Sequence, residues 1–175
     1  MNTNKCIASS EEETMAIAEK LATEYPHHLV LLKGELGAGK TVFARGFAKG
    51  LGIDCTVSSP SYTLMNEYRK GQKSMFHLDL YRLNCLEEVV DIGLFDILDS
   101  KQPCLIEWAE RVYELSKLPH LFVEIVRQSV SNNDEQRIIT WHWERIIFQF
   151  ISVTTHITAF SVATIVDQTL IKVII

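Results

Sequence analysis

The stretch Gly34-Glu35-Leu36-Gly37-Ala38-Gly39-Lys40-Thr41 constrains this chain more than any other. It fits G-x-x-x-x-G-K-[ST] at every fixed position, the pattern of a loop that wraps phosphate oxygens in backbone N–H groups. The glycines let the main chain approach those oxygens without a Cβ clash. Lys40 is expected to carry its ammonium to the β- and γ-phosphates, and Thr41 to offer its hydroxyl to Mg²⁺. A helix starting there aims its positive dipole end at the same phosphates. The flanks agree. Residues 28–33 form a short apolar run that reads as a buried strand. After the loop, Phe43, Phe47 and Leu51 recur at helical spacing, and Gly50 and Gly52 supply stop signals.

Size and composition fit one domain with a real core. The chain has 175 residues, 47% hydrophobic and 22% charged, an ordinary globular balance. Its net charge of -5 supplies no general attraction to nucleic acid, so a direct tRNA or DNA contact by this chain alone is not favoured. Cys6, Cys55, Cys85 and Cys104 are scattered without a C-x-x-C pair. That suits free thiols in a reducing compartment rather than a disulfide frame or a zinc site. The first ten residues lack a signal-peptide pattern, and the expected location is the cytoplasm.

The chain reads in order as follows. Cys6-Ile7-Ala8 suits a short edge strand. Ser10 with Glu13 makes a capping box, and Glu11, Glu12 and Glu13 suit the first turn of a helix ending before Pro26. Residues 57–64 carry Pro60 and a run of hydroxyls, a loop entering a strand. Residues 62–68 and 74–79 flank a polar turn containing Gly71, which predicts a hairpin with a fairly long loop and hence a mixed sheet. Two short helices are predicted at 86–90 and 94–98, and a buried strand ending in a carboxylate at 103–108. Strands at 121–126 and 137–141 are predicted on either side of a polar turn at 129–136.

A metal-bound triphosphate needs a carboxylate on a strand beside the loop. Asp79 and Glu107 both end apolar runs. The competing reading of each is a strand-end acid that caps a helix or pairs with Arg82 or Arg111. His77 shares a strand face with Asp79 and reads as packed rather than catalytic. Tyr62, Tyr81 and Trp108 read as core or as an interaction surface, and Arg82 as a phosphate ligand or a surface ion pair.

Taken together, Gly34–Thr41, Ser59-Pro60-Ser61-Tyr62-Thr63-Leu64, His77-Leu78-Asp79-Leu80-Tyr81-Arg82-Leu83 and Ile106-Glu107-Trp108 resemble the TsaE family, the small ATPases of bacterial tRNA threonylcarbamoyladenosine (t6A) synthesis. The resemblance runs from about residue 7 to about residue 140. It implies an α/β fold: a single P-loop NTPase domain, residues 1–142, with a mixed central β-sheet flanked by helices. It implies that Gly34, Glu35, Leu36, Gly37, Ala38, Gly39, Lys40 and Thr41 hold ATP. Thr41 and Glu107 would bind Mg²⁺, and Asp79 would act with Lys40 in hydrolysis. Glu110 and Arg137 would lie close to the nucleotide, and the loop at Ser59, Pro60 and Ser61 would sense its state. It also implies that the chain serves TsaD and TsaB, touches tRNA only through that complex, and hydrolyses ATP slowly when alone. Ser61 and Ala109 stand where the family commonly has Thr and Pro.

The resemblance ends near Trp143. Residues 146–166 carry no formal charge and are rich in Ile, Val and Thr. Three readings of the tail 143–175 compete: added strands, a foreign or frame-shifted end, and a membrane anchor, the least favoured because of its polar load. For the chain as a whole the alternative function is a small P-loop kinase acting on a nucleotide or metabolite, against which no arginine-rich lid segment stands out. A GTPase lacks its N-K-x-D segment after the loop. A non-enzymatic nucleotide-binding adaptor is the remaining rival.

Overall fold

The computed structural model describes residues 3–26, 29–131 and 134–145. Among them, seven strands form one mixed sheet in the order β1-β7-β6-β2-β5-β4-β3. The strands are β1 (Asn4–Ala8), β2 (Leu29–Lys33), β3 (Met65–Lys70), β4 (Lys73–Asp79), β5 (Cys104–Glu107), β6 (His120–Ser131) and β7 (Asp134–Glu144). The middle four, β6, β2, β5 and β4, run parallel, and β7, β1 and β3 join antiparallel. β2 sits between β6 and β5, and its first four residues are buried. A parallel strand covered on both faces is apolar throughout, which is why Leu29-Val30-Leu31-Leu32 shows no alternation. Among the described residues β1 pairs with β7 only, at the sheet edge as expected.

Helix α1 (Glu11–Glu24) and helix α2 (Lys40–Gly50) cover one face. Val30 and Leu32 of β2, Leu121, Val123 and Ile125 of β6, and Leu105 of β5 meet Phe43, Phe47, Ala18, Leu21 and Ala22 of the helices in one cluster. The Ser10 hydroxyl accepts from the Glu13 N–H at 3.2 Å, as a capping box requires. The return bond differs in its donor: the Glu13 carboxylate accepts from the Ser9 N–H at 2.6 Å, one residue further back.

The two helices touch backbone to backbone. A Cβ at Gly46 would lie 2.3 Å from the Met15 carbonyl oxygen, and one at Gly50 would lie 2.4 Å from the Glu19 carbonyl oxygen. Gly46 and Gly50 are therefore packing residues of α2, and Gly50 is still inside the helix as well as near its stop.

Both hairpins differ from the sequence expectation. The β3–β4 hairpin loop is short: Lys70 pairs with Lys73, leaving Gly71-Gln72 with Gly71 at φ +62°. The predicted polar turn at 129–136 is also mostly strand, since β6 runs to Ser131 and β7 begins at Asp134, with a bulge near Ser129. The cause is the same in both places. Hairpin tips that project into water carry polar side chains on both faces, so composition reads as loop while the ladder continues. The start of β3 is also later than predicted, because the 60–64 segment closes a turn in which the Leu64 N–H reaches the Pro60 carbonyl at 2.7 Å.

Short helices α3 (Leu86–Asp91) and α4 (Leu94–Asp99) and two 3-10 turns, Ala109–Arg111 and Tyr113–Lys117, complete the described fold. The cysteines are free thiols, and burial pushes the Cys104 thiol up to about 12. Trp143 and Glu144 belong to β7, while the tail from residue 146 lies outside the described residues. Among the described residues no helix is long and apolar enough to cross a membrane.

Candidate nucleotide site

The loop at 34–39 leaves the C-terminal end of β2 and enters α2 at Lys40. Gly37 and Gly39 sit at φ +78° and +108°, conformations that side chains rarely tolerate. Gly34 is required for a different reason: a Cβ there would meet the Ile125 carbonyl oxygen of β6 at 2.7 Å. The middle of the loop faces water, with Leu36 90% exposed. Arginines from the β6–β7 pair flank it. Arg137 lies against Gly39, its Nε 3.0 Å from where a Cβ would stand, and that Nε is buried without a hydrogen-bond partner. Arg127 approaches Gly37 and is paired with Glu135.

Lys40 is buried, and its ammonium donates to the carbonyls of Gly34 at 2.7 Å and Glu35 at 3.1 Å. It also lies 4.3 Å from the centre of the Trp108 ring and 3.9 Å from Glu107 Oε2. Burial pulls its pKa below the usual lysine range, and the charges of Glu107, Asp79, Glu110 and Glu35 pull the other way.

Asp79 and Glu107 end neighbouring parallel strands in the same register row, and each is only 3% exposed. Neither pairs with Arg82 or Arg111. Arg82 stacks over Tyr62, and Arg111 donates to the Leu83 carbonyl and to Asn84. Asp79 Oδ2 accepts from the Ser61 hydroxyl at 2.5 Å, and Oδ1 accepts from the Tyr81 N–H at 2.9 Å. Ser61 in turn meets Ser59 at 2.7 Å. The hydroxyl-rich loop is thus tied directly to one of the two acids. Glu107 Oε1 meets His77 Nε2 at 2.9 Å.

The face on which these groups lie follows from the two-residue period of each strand. Residues 77 and 79 share the face that carries Met75, and Leu105 and Glu107 share the matching face of β5. That face carries the α1–α2 core, so both acids point to the side from which Lys40 enters. Immediately after Glu107 the chain turns sharply: Trp108 is at φ +60°, a costly conformation for a bulky residue, and its ring lies tilted against that of Tyr81, centroids 5.1 Å apart. Tyr62 and Tyr81 are 85% and 56% exposed, so these aromatics are surface and not core.

Thr41 follows Lys40 in the first turn of α2 and is half-buried. Two nearly buried carboxylates at adjacent strand ends, with a threonine hydroxyl at the helix start, match the donors Mg²⁺ takes beside a polyphosphate: one or two acids, with phosphate and water oxygens filling the rest. Glu110 is exposed in the first 3-10 turn. With Lys33, Tyr113, His120 and Phe122 it lines a cleft of about 210 Å³. Leu31, Lys33 and Phe122 alternate with the residues that pack under α1 and α2, so this cleft opens on the other face of the sheet. Glu110 therefore acts on Lys40 and Lys33 through its charge.

Sequence reasoning missed the His77–Glu107 bond, the Ser61–Asp79 bond and the contact of Lys40 with Trp108. The H-x-D spacing does place His77 and Asp79 on one face, but the register between β4 and β5 that aligns them with Glu107 is not written in any local pattern.

A family model described as Threonylcarbamoyl adenosine biosynthesis protein TsaE matches residues 8–139. The chain belongs to the TsaE family. A TsaE relative from Bacillus subtilis (strain 168), named tRNA threonylcarbamoyladenosine biosynthesis protein TsaE, is 40% identical over 131 residues, covering 74% of this chain and 79% of the relative. One of the same name from Treponema pallidum (strain Nichols) is 36% identical over 135 residues, covering 75% and 96%. The crystal structure of Bacillus subtilis YdiB superposes with a TM-score of 0.58 at 32% identity, covering 79% of this chain and 85% of that one. The P-loop NTPase fold expected of a TsaE protein is the fold seen here, mixed sheet included.

Proposed function

We propose that this chain is the ATP-binding and ATP-hydrolysing component of t6A synthesis on tRNA, acting in the cytoplasm with TsaD and TsaB and meeting tRNA only through them. The observation that carries the reading is the convergence of Lys40, Asp79 and Glu107 in one nearly buried cluster at the mouth of the phosphate loop, in a TsaE-family chain. The unit responsible runs from the N-terminus through the end of β7. The relatives' names favour this reading over a small kinase.

The backbone N–H groups from Gly34 to Thr41 would take the phosphates of ATP, and Arg137 would add a charged donor on the Gly39 side, where its Nε is unpaired. Lys40 would exchange the carbonyls of Gly34 and Glu35 for β- and γ-phosphate oxygens. Its held position, between two carbonyls and the Trp108 ring, limits the reorganisation needed. Thr41 and Glu107 would hold Mg²⁺, which when bound neutralises charge developing on the transferred phosphoryl group. Asp79, with Ser61 on one oxygen, would orient the attacking water, and the loop at 59–61 would report the state of the γ-phosphate to the surface around Tyr62. Glu110 would tune the site through its field.

Calorimetry with ATP and ADP, each with Mg²⁺ and with EDTA, tests the nucleotide half of the reading. Co-purification with TsaD and TsaB, with and without ATP and Mg²⁺, tests the rest. Binding of neither nucleotide removes the ATPase assignment. Failure to associate under every nucleotide condition removes the t6A role and leaves the nucleotide site standing.

A further inference from the structure

We infer that His77 is a positioning residue for the metal carboxylate: its Nε2–H fixes the plane of Glu107 so that Oε2 stays available to Mg²⁺ and out of contact with Lys40. This rests on the reading that Glu107 holds the metal. His77 is 0% exposed, on a strand whose inward positions are otherwise apolar until Asp79. A carboxylate only accepts, so Nε2 carries the proton in the 2.9 Å bond to Glu107 Oε1. Nδ1 then faces the core without any partner. Burying an unsatisfied ring nitrogen is costly, and a leucine would fill the space beside Tyr68 and Met75 without that cost. The bond to Glu107 is the one polar contact the ring makes in return.

The geometry says what that bond does. Lys40 Nζ lies 3.9 Å from Glu107 Oε2. A relaxed ammonium–carboxylate pair closes to about 2.8 Å, and in a site this dry the attraction is strong. With no tether on Oε1, the carboxylate is free to turn until both oxygens face the ammonium. That contact pair would take the oxygen meant for the metal. The imidazole opposes it by pinning Oε1 on the far side. A ligating group oriented by a partner that does not itself touch the metal is a common arrangement, and loss of such a partner typically costs ten- to a hundredfold in metal affinity.

The test compares His77→Leu, which keeps the bulk and removes the donor, with His77→Gln, whose amide N–H reaches about as far as Nε2, and His77→Asn, whose amide falls short. The readout is the Mg²⁺ enhancement of ADP affinity, the ratio of dissociation constants in EDTA and in Mg²⁺, measured by calorimetry on full-length protein. His77→Leu is expected to lose about tenfold or more of the enhancement while its affinity in EDTA changes less than about twofold, and His77→Gln to restore most of it. Full enhancement in His77→Leu overturns the inference. Should the leucine variant fail to fold, equal enhancement in the glutamine and asparagine variants overturns it instead, and a clear advantage for glutamine supports it. A wild-type protein with no Mg²⁺ enhancement sinks the metal reading of Glu107 and the inference with it, an outcome distinct from either variant result.

Discussion

Gly46→Ala sets two physical effects against each other, and the structure decides which wins. In the interior of an exposed helix, alanine in place of glycine gains about 1 kcal/mol from propensity alone. Gly46 is in the interior of α2, but it is buried, and a new Cβ would stand 2.3 Å from the Met15 carbonyl oxygen and 2.6 Å from the Met15 Cα. Both are backbone atoms of α1 and no rotamer change relieves them. Ordinary contact requires the helices to separate by about 1 Å along a packed interface. Overpacking costs roughly 1–3 kcal/mol and at times more, and three backbone contacts under 3 Å put this site at the upper end, about 2–3 kcal/mol. The net expectation is a loss of about 1–2 kcal/mol, seen as a fall in melting temperature of roughly 2–8 °C for a domain of this size. Thermal and urea unfolding followed by far-UV circular dichroism measure it. Gly50→Ala, with a Cβ 2.4 Å from the Glu19 carbonyl oxygen, should shift in the same direction. An unchanged or higher midpoint for Gly46→Ala at unchanged urea dependence would refute the claim that α1 and α2 meet through their backbones.

Three further outcomes follow from the site and its surroundings. Lys40→Met should weaken ATP binding tenfold or more in calorimetry, because the ammonium held at the loop is lost. Asp79→Asn should leave ADP affinity within about twofold while lowering phosphate release in the assembled complex by a factor on the order of 10²–10⁴, the usual worth of a positioned base. Burial lowers the pKa of His120, whose Nδ1 is held by the Leu118 carbonyl at 2.7 Å, from the ordinary 6.5. The unfolded chain therefore binds this proton more readily than the folded one, so His120 destabilises the fold as pH drops below about 6.5, by at most about 1.4 kcal/mol per pH unit, and has no effect well above it. Melting curves from pH 5 to 8 should show a shallower acid decline in His120→Gln than in the wild type.

The phosphate loop, the strand before it and the helix after it were legible because their chemistry is local: glycines at fixed offsets, an apolar run, a 3.6-residue period. Asp79 and Glu107 were legible as candidates because each ends an apolar run. What joins them was not. Nothing in residues 73–79 states that β4 lies beside β5 in the row that sets Asp79 opposite Glu107, since register is decided by tertiary packing. The same limit hid the partner of His77, which reads as an ordinary packed histidine until Glu107 is placed 2.9 Å away. The hairpin tips misled for a different reason. Lys70, Lys73 and Gln136 are strand residues whose side chains meet water, so their polarity reports exposure and not conformation. Arg137 entered only through family likeness; no local pattern sets its Nε against Gly39.

The absence of side chains between α1 and α2 at Gly46 and Gly50 has a mechanical consequence. Two helices pressed spine to spine behave as a single stiff beam, and the phosphate loop is rooted in the end of that beam at Gly39. Force applied at the loop finds little give in that direction. Ser59, Ser61 and Asp79, by contrast, are joined by hydroxyl contacts that can be exchanged one at a time.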